Sequence, residues 1–148
     1  MTFVDGVTEL LAGLCSGARV VLASDEVAVD PVALRGLMVR ESVTQVTAVP
    51  TMLGALFDGD GGAGTGAQDV PPLHRVVSSG ERLDPRVAAT VQRAMPGVEL
   101  VDSYGSSEIA GDVSFGIVGS DVDPSGGRPV PGAVLHVLDR WLRPVVPG

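Results

Sequence analysis

The sequence predicts an α/β fold, in which helices flank a parallel sheet and the start of a small β subdomain follows. Short apolar and β-branched runs alternate with segments whose apolar residues recur at helical spacing, the pattern of strands joined by crossover helices. Proline and glycine separate these segments. After Phe115 the alternation stops, and glycine and proline become frequent. We therefore divide the chain into an α/β portion, residues 1–115, and the start of the β subdomain, residues 116–148.

The individual elements are predicted from apolar spacing and from helix caps. In Asp30-Pro31 and Asp84-Pro85, the carboxylate can cap a helix whose first position the proline occupies. The predicted helices lie within residues 2–16, 31–38, 51–57 and 85–95. The predicted strands are residues 19–23, 43–49, 74–78, 99–103 and, in the tail, 134–138. Residues 58–72 are rich in glycine and predict a mobile loop.

Composition narrows the possible classes of protein. No apolar run approaches 18 residues, so we expect a soluble protein with no membrane partner, and no secretion signal is apparent. Cys15 is the only cysteine, which suits a reducing cytoplasm. A formal net charge of −8 argues against nucleic acid as a partner. All ten basic residues are arginines, so this chain cannot supply a catalytic lysine.

Polar residues follow two predicted strands, and we expect them at the same edge of the sheet. Ser79, Gly80 and Glu81 follow one strand, and residues 104–108 (Tyr-Gly-Ser-Ser-Glu) follow another after a turn at Gly105. Ligands of open α/β sheets bind at the carboxyl ends of the strands. An aromatic face suits a base, hydroxyls suit a phosphate, and a carboxylate suits a magnesium ion. The alternative is a Ser/Gly loop with a capping glutamate.

Four stretches of the chain carry a specific resemblance: residues 3–9, residues 46–51, residues 104–108 and the segment from Gly127 to Val145. Together they resemble the adenylation domain of the adenylate-forming superfamily, which includes acyl-CoA synthetases and nonribosomal peptide synthetases. The resemblance covers the chain in order and implies that a carboxylic acid and ATP give an acyl-adenylate and pyrophosphate. The acyl group then passes to a phosphopantetheine thiol on a partner carrier protein. Magnesium and ordered donors would offset the repulsion between the two anions.

The resemblance also implies roles for individual residues. Ser107 and Glu108 would be catalytic, with Ser107 on the α-phosphate and Glu108 as the magnesium ligand. The implied nucleotide-binding residues are Ser79, Gly80, Glu81, Ser103, Tyr104, Gly105 and Ser107. The implied substrate-binding residues are Val4, Asp5, Thr8, Thr47, Val77, Ser79, Ser103, Gly111 and Asp112.

The pocket pattern favours a β-amino acid as the small acid substrate. In family members that activate α-amino acids, an aspartate directly follows the motif's phenylalanine. Here Val4 follows Phe3, and Asp5 stands one residue later, which changes the direction of the side chain. A pocket carboxylate without a cationic partner is costly to desolvate, so we expect an amine placed further from the substrate's carboxyl group. This pattern resembles stand-alone enzymes that adenylate β-amino acids. Asp112 is a competing anion.

The family's lysine-bearing phosphate loop, its hinge and its C-terminal catalytic lysine have no counterpart in these residues. We therefore expect the chain alone to have no adenylation activity. Two alternatives remain open at this point: a noncatalytic truncated gene product, and a fragment of an acyl- or aryl-CoA ligase.

Overall fold

The computed structural model describes residues 4–58, 70–109, 111–119 and 127–145. The side chains of Val4 and Asp5, and residues 59–69 of the predicted glycine-rich loop, lie outside the described residues. No helix in these ranges is long and apolar enough to cross a membrane.

Five strands within the described ranges form one sheet, in the order β1-β2-β3-β4-β5. They are β1 (Gln45–Ala48), β2 (Arg75–Ser78), β3 (Glu99–Ser106), β4 (Gly111–Ile117) and β5 (Arg128–Pro129). The first three are parallel, whereas β4 and β5 pair antiparallel. The predicted α/β fold is therefore confirmed, with a mixed sheet in which three predicted strands supply the parallel part.

The helices of the described residues are α1 (Val4–Cys15), α2 (Asp25–Ala28), α3 (Pro31–Arg40), α4 (Pro50–Phe57) and α5 (Pro85–Ala94). Among them, α4 connects β1 to β2 and α5 connects β2 to β3, whereas α1, α2 and α3 precede β1. Both Asp-Pro pairs cap helices as predicted: Asp30 Oδ1 accepts from the backbone N–H groups of Val32 and Ala33, and Asp84 Oδ1 accepts from that of Arg86. These bonds satisfy donors that the first helical turn leaves free.

Two predicted strands are wrong. Residues 19–23 form no regular secondary structure and pair with no strand of the described chain, and Leu22 is 73% exposed. A β-branched run favours extended backbone, but it becomes a strand only where a neighbour completes the ladder. Residues 134–138 likewise form no strand, and only an isolated bridge joins Leu138 to Pro144.

The hydrophobic core lies on one face of the sheet. Val76 of β2 and Leu100 of β3 are register partners, and both belong to the core cluster with residues of α3, α4 and α5. Val77 and Val101, the next residues along the same strands, are buried but do not belong to that cluster. Since successive side chains of a strand point to opposite faces, Val77 and Val101 belong to the opposite face of the sheet.

The predicted boundary between residues 115 and 116 falls inside β4. This strand pairs with β3 on one side and with β5 on the other, through Ser114 and Phe115. The division into an α/β portion and a β subdomain stays a prediction.

Candidate functional site

The two polar segments singled out in the sequence lie side by side at one edge of the sheet. In the parallel register, Ala48 pairs with Ser78, and Ser78 pairs with Asp102. The residues that follow these positions therefore emerge at the carboxyl ends of three adjacent strands, where open α/β sheets bind ligands. The sequence predicts that residues 79–81 and the Tyr104 segment lie at one edge of the sheet, and the parallel register of β2 and β3 agrees with this.

The turn after β3 lies further along the chain than predicted. Tyr104 and Gly105 belong to β3, and the chain leaves the strand only at the short 3₁₀ helix Ser107–Ile109. The reason is β4, which pairs with β3 as far as Ser106 and Gly111 and so extends the strand. The predicted turn at Gly105 is wrong, although Ser107 and Glu108 still occupy the connection that leaves the sheet edge.

Several predicted substrate-binding residues share the face of the sheet that is opposite the core. Thr47 and Val77 are register partners, and Val77 pairs in turn with Val101. Ser79 follows Ser78 and Ser103 follows Asp102, so the alternation of side chains places both serines on that same face. The residues of this opposite face at the strand ends are Thr47, Val77, Ser79, Val101 and Ser103.

A β-bulge adds Asp112 to this group. Tyr104 pairs with Ser114 whereas Gly105 pairs with Asp112, so Val113 is an extra residue in β4. In a regular strand, residues 112 and 114 would point to the same face of the sheet. The extra residue reverses the alternation, so Asp112 points to the face opposite the core, where Ser79 and Ser103 lie. The Ser79 hydroxyl donates to Asp112 Oδ1 at 3.3 Å, which agrees with that placement.

Glycines allow the bulged part of β4 to approach β3 and allow helix α1 to approach β4. A Cβ on Gly105 would lie 2.3 Å from the carbonyl oxygen of Gly111 and 2.6 Å from Cα of Asp112, so only glycine fits there. Gly111 itself has a φ of +129°, and a Cβ on it would lie 3.8 Å from Thr8 Oγ1 of α1. Thr8 and Gly111 therefore lie close together, with Asp112 next to Gly111 along the chain. Their role as acyl-pocket residues stays a prediction.

Two buried hydroxyls at this edge have no hydrogen-bond partner among the described residues. Ser78 Oγ lies on the core face in a fully buried residue, and Ser103 Oγ lies on the opposite face in a residue that is 4% exposed. A buried hydroxyl without a partner costs free energy, and such groups are uncommon in folded proteins. Ser103, on the strand between Ser79 and Asp112, therefore has a hydroxyl group that makes no hydrogen bond to the described residues.

The predicted adenine side of the site is more open. Tyr104 is 58% exposed, so its ring is available to a ligand. Glu81 Oε2 accepts a hydrogen bond from Thr51 Oγ1 at 3.3 Å, which ties the turn after β2 to the start of α4. Gly80 has a φ of +85°, and a Cβ there would lie 3.3 Å from Val49 Cγ1. A larger residue at position 80 would therefore be strained.

Glu108 is exposed and remains ionised well into the acid range. The Ser106 side chain hydrogen-bonds the carboxylate, and together with a backbone hydrogen bond this lowers the pKa of the Glu108 carboxyl below its ordinary value. No group of three or more His, Cys, Asp or Glu side chains that could hold a metal occurs among the residues described. The donor set is one carboxylate, which fits magnesium, because that ion is commonly held by one or two carboxylates together with substrate phosphates.

Sequence reasoning missed three features of the site. These are strand β4, its bulge at Val113, and the Ser106 contact that shifts the pKa of Glu108. The segment Gly-Asp-Val-Ser-Phe-Gly-Ile of β4 alternates weakly and contains two glycines, so its pattern was a poor signal for a strand. The position of Ser106 two residues before Glu108 was the only available indication of the third feature.

The chain belongs to the AMP-binding enzyme family, whose model matches residues 1–148. It is 39% identical over 145 residues to phosphinothricin tripeptide synthetase PhsB of Streptomyces viridochromogenes, a match that covers 96% of this chain and 12% of the synthetase. It is 30% identical over 142 residues to tyrocidine synthase 3 of Brevibacillus parabrevis, covering 94% of this chain and 2% of that protein. The chain therefore spans only a small part of these relatives.

The fold is also found among solved structures. PA1221, described as a nonribosomal peptide synthetase protein with adenylation and carrier (PCP) domains, superposes with a TM-score of 0.82 at 21% identity. The match covers 99% of this chain and 29% of PA1221. At that identity the likeness establishes the fold, namely the mixed sheet flanked by helices.

Proposed function

We propose that this chain supplies the adenine- and acyl-binding edge of an enzyme that joins an amino acid to AMP and then transfers it to the phosphopantetheine thiol of a carrier protein. One observation carries the proposal: Tyr104 near the end of β3 and Glu108 just after that strand lie at the edge of the sheet where Ser79 hydrogen-bonds Asp112. A nucleotide side and an acyl side that share one edge are what a reaction between a carboxylate and ATP requires. Membership of the AMP-binding enzyme family supports the nucleotide side.

The reaction must bring an anionic carboxylate to an anionic phosphate. In our proposal Tyr104 stacks on the adenine, Gly80 and Glu81 border its edge, and the Ser107 hydroxyl donates to the α-phosphate. Glu108, whose pKa is lowered, would hold a magnesium ion together with the phosphates. That ion would neutralise phosphate charge, while the backbone of β3 and the 3₁₀ helix fixes the positions of the donors.

For the acyl substrate we propose an amino acid whose amine is displaced from the α position, such as a β-amino acid. The support is the one-residue shift of the carboxylate from position 4 to position 5, because a step of one residue on a helix rotates the side chain by about 100°. The backbone of α1 contains position 5 one turn before Thr8, whose hydroxyl lies beside Gly111. Position 5 thus lies on the helix that, in our proposal, borders the acyl substrate.

We further propose that these 148 residues are inactive by themselves. They contain no lysine, and adenylate-forming enzymes resembling this chain use lysines of the phosphate loop and of a C-terminal domain. The cytoplasm, where ATP and carrier proteins occur, is the proposed location, with no nucleic acid or membrane as a partner.

The test is ATP–pyrophosphate exchange with the protein at the length at which its source cells make it, beside purified residues 1–148. We expect exchange from the cellular form with 3-aminobutanoate over 2-aminobutanoate, and none from the 148 residues. Asp5→Asn should abolish the preference for the β isomer, whereas Asp25→Asn, the same change on the exposed helix α2, should preserve it.

Each part of the proposal can fail separately in this test. Exchange with the α isomer over the β isomer refutes the placement of the amine. Exchange by residues 1–148 refutes their dependence on further segments. If the product is a coenzyme A thioester instead of an acyl carrier protein, the enzyme is an acyl- or aryl-CoA ligase. A cellular form of 148 residues without exchange is a noncatalytic truncated product.

A further inference from the structure

The carboxylate of Asp112 is placed on the acyl side but has no part in the reaction as proposed so far. It is half-buried, and it accepts a hydrogen bond from Ser79 Oγ at 3.3 Å. The ion pairs within the described ranges join Arg19 and Arg40 to Glu41, and Arg75 to Glu99. None of them neutralises Asp112. A partly desolvated carboxylate without a cationic partner is unfavourable, and a bound cation would remove that cost.

The fold fixes this carboxylate in one direction. The bulge at Val113 turns Asp112 to the face that carries Ser79 and Ser103, and Gly105 allows the close approach that the bulge requires. The Ser79 hydroxyl occupies one of the roughly four lone-pair positions of the carboxylate, so the others can accept from a ligand. Asp112 is thus held by protein and still able to bind.

Ser103 gives an independent indication that a ligand binds here. It lies on β3, between the strands that carry Ser79 and Asp112, and on the same face. The residue is 4% exposed, and its Oγ has no hydrogen-bond partner among the described residues. A hydroxyl can accept a hydrogen bond from an ammonium group, so a ligand cation bound to Asp112 would also satisfy Ser103.

We propose that Asp112, with Ser79 and Ser103, receives a second cationic group of the acyl substrate, which makes that substrate a diamino acid. The inference rests on the proposed function, because it takes this face as the acyl pocket. One ammonium group binds near position 5, and the other binds Asp112. Ser79, Ser103 and Gly111 are small, so they leave room for the substituent that carries the second amine.

The test compares ligands that differ only at the second group, using the protein at its cellular length. Calorimetry measures the affinity for 3,4-diaminobutanoate and for 3-aminopentanoate, in which a methyl group replaces the second ammonium. β-Lysine and 3-aminoheptanoate form a longer pair, and β-glutamate carries an anion instead. The wild-type protein should prefer each diamine by about tenfold or more. Asp112→Asn should remove the preference, and Asp25→Asn should keep it.

One ligand should bind the Asp112→Asn variant more tightly than it binds the wild-type protein, and this gain distinguishes a folded variant from an unfolded one. Asp112→Asn removes the repulsion of β-glutamate, so its affinity should rise several-fold, which an unfolded protein cannot show. A wild-type protein that binds both members of a pair equally, or neither of them, overturns the inference. So does equal loss of monoamine and diamine binding in Asp112→Asn, because Asp112 then binds the first amine.

Exchange of ATP and pyrophosphate, measured in parallel, separates this inference from the proposed function. Exchange without a preference for diamines rejects the second cation and retains adenylation. A preference for diamines in binding, without exchange, retains the second-cation site and rejects adenylation.

Discussion

The hydroxyl of Ser79 donates to Oδ1 of Asp112 at 3.3 Å, across the strand that separates their own strands. Ser79 directly follows the strand β2, whereas Asp112 lies near the start of β4, 33 residues later. The contact exists because the bulge at Val113 reverses the alternation of β4. It joins two residues of the proposed acyl pocket, so its removal can be measured both as a change in stability and as a change in ligand binding.

Replacement of Ser79 should cost more than replacement of the neighbouring Ser78. Ser79→Ala removes a buried donor to a half-buried carboxylate, and we expect the free energy of unfolding to fall by about 1 kcal/mol. Ser78→Ala removes a fully buried hydroxyl that has no partner among the described residues, so it should be neutral or stabilise by up to about 1 kcal/mol. Urea denaturation of both variants measures the difference. Equal destabilisation would show that the bond to Asp112 contributes nothing.

Gly105 should not tolerate a methyl group. In Gly105→Ala the new Cβ would lie 2.3 Å from a backbone oxygen, which cannot move without breaking the β3–β4 pairing. We expect a loss of about 1–3 kcal/mol in the free energy of unfolding. Gly36→Ala is the matched control, because Gly36 lies on α3 with nothing within 4 Å of an added Cβ. That variant should gain about 0.5–1 kcal/mol. A neutral Gly105→Ala variant in thermal or urea denaturation would argue against the bulge.

The two glycine variants show how far sequence reasoning reaches. The helix that contains Gly36 was predicted from its Asp-Pro cap and apolar spacing, both local signals. The need for glycine at position 105 depends on Gly111 and Asp112 across the β3–β4 pairing, which no local pattern encodes. The strand predicted at residues 19–23 was wrong because its local pattern did not show whether a partner strand exists. The pattern favoured a strand, but no strand adjoins these residues within the described chain.

In the candidate site, too, local sequence patterns predicted some features, whereas others depend on the tertiary structure. Its residue types and their common sheet edge followed from strand ends in the sequence, and the parallel register of β2 and β3 agrees. The face of the sheet to which Asp112 points could not be predicted from the sequence, because the one extra residue at Val113 reverses that face. The partner of Asp112 likewise required the tertiary structure, because Ser79 lies two strands away.

Ser106 should control the titration of Glu108. Its side-chain hydrogen bond is the larger cause of the lowered pKa, so Ser106→Ala should raise the Glu108 pKa toward its ordinary value. A carboxyl group with a lowered folded pKa stabilises the fold above its unfolded pKa, and that contribution disappears as the pH falls through the folded pKa. The variant should therefore lose less stability between neutral and acid pH than the wild-type protein.

Carbon-detected NMR titration of the glutamate side chains measures this shift directly. Ser107→Ala is the matched control, since Ser107 is not among the causes of the lowered pKa. An unchanged Glu108 titration in Ser106→Ala would leave the backbone hydrogen bond as the sole cause.

Tyr104 should bind the adenine through its ring instead of its hydroxyl group. In the protein at its cellular length, Tyr104→Ala should weaken adenine-nucleotide binding about tenfold, because stacking of one base contributes about 1–3 kcal/mol. Tyr104→Phe keeps the ring and should bind nearly as the wild-type protein does. Tyr104 is 58% exposed, so neither change should alter the free energy of unfolding by more than about 0.5 kcal/mol.

Trp141→Ala removes an equally exposed aromatic ring from the tail and should leave nucleotide affinity unchanged. If Tyr104→Phe lost as much affinity as Tyr104→Ala in calorimetric titrations, the hydroxyl group would be the contact and the stacking role would be wrong.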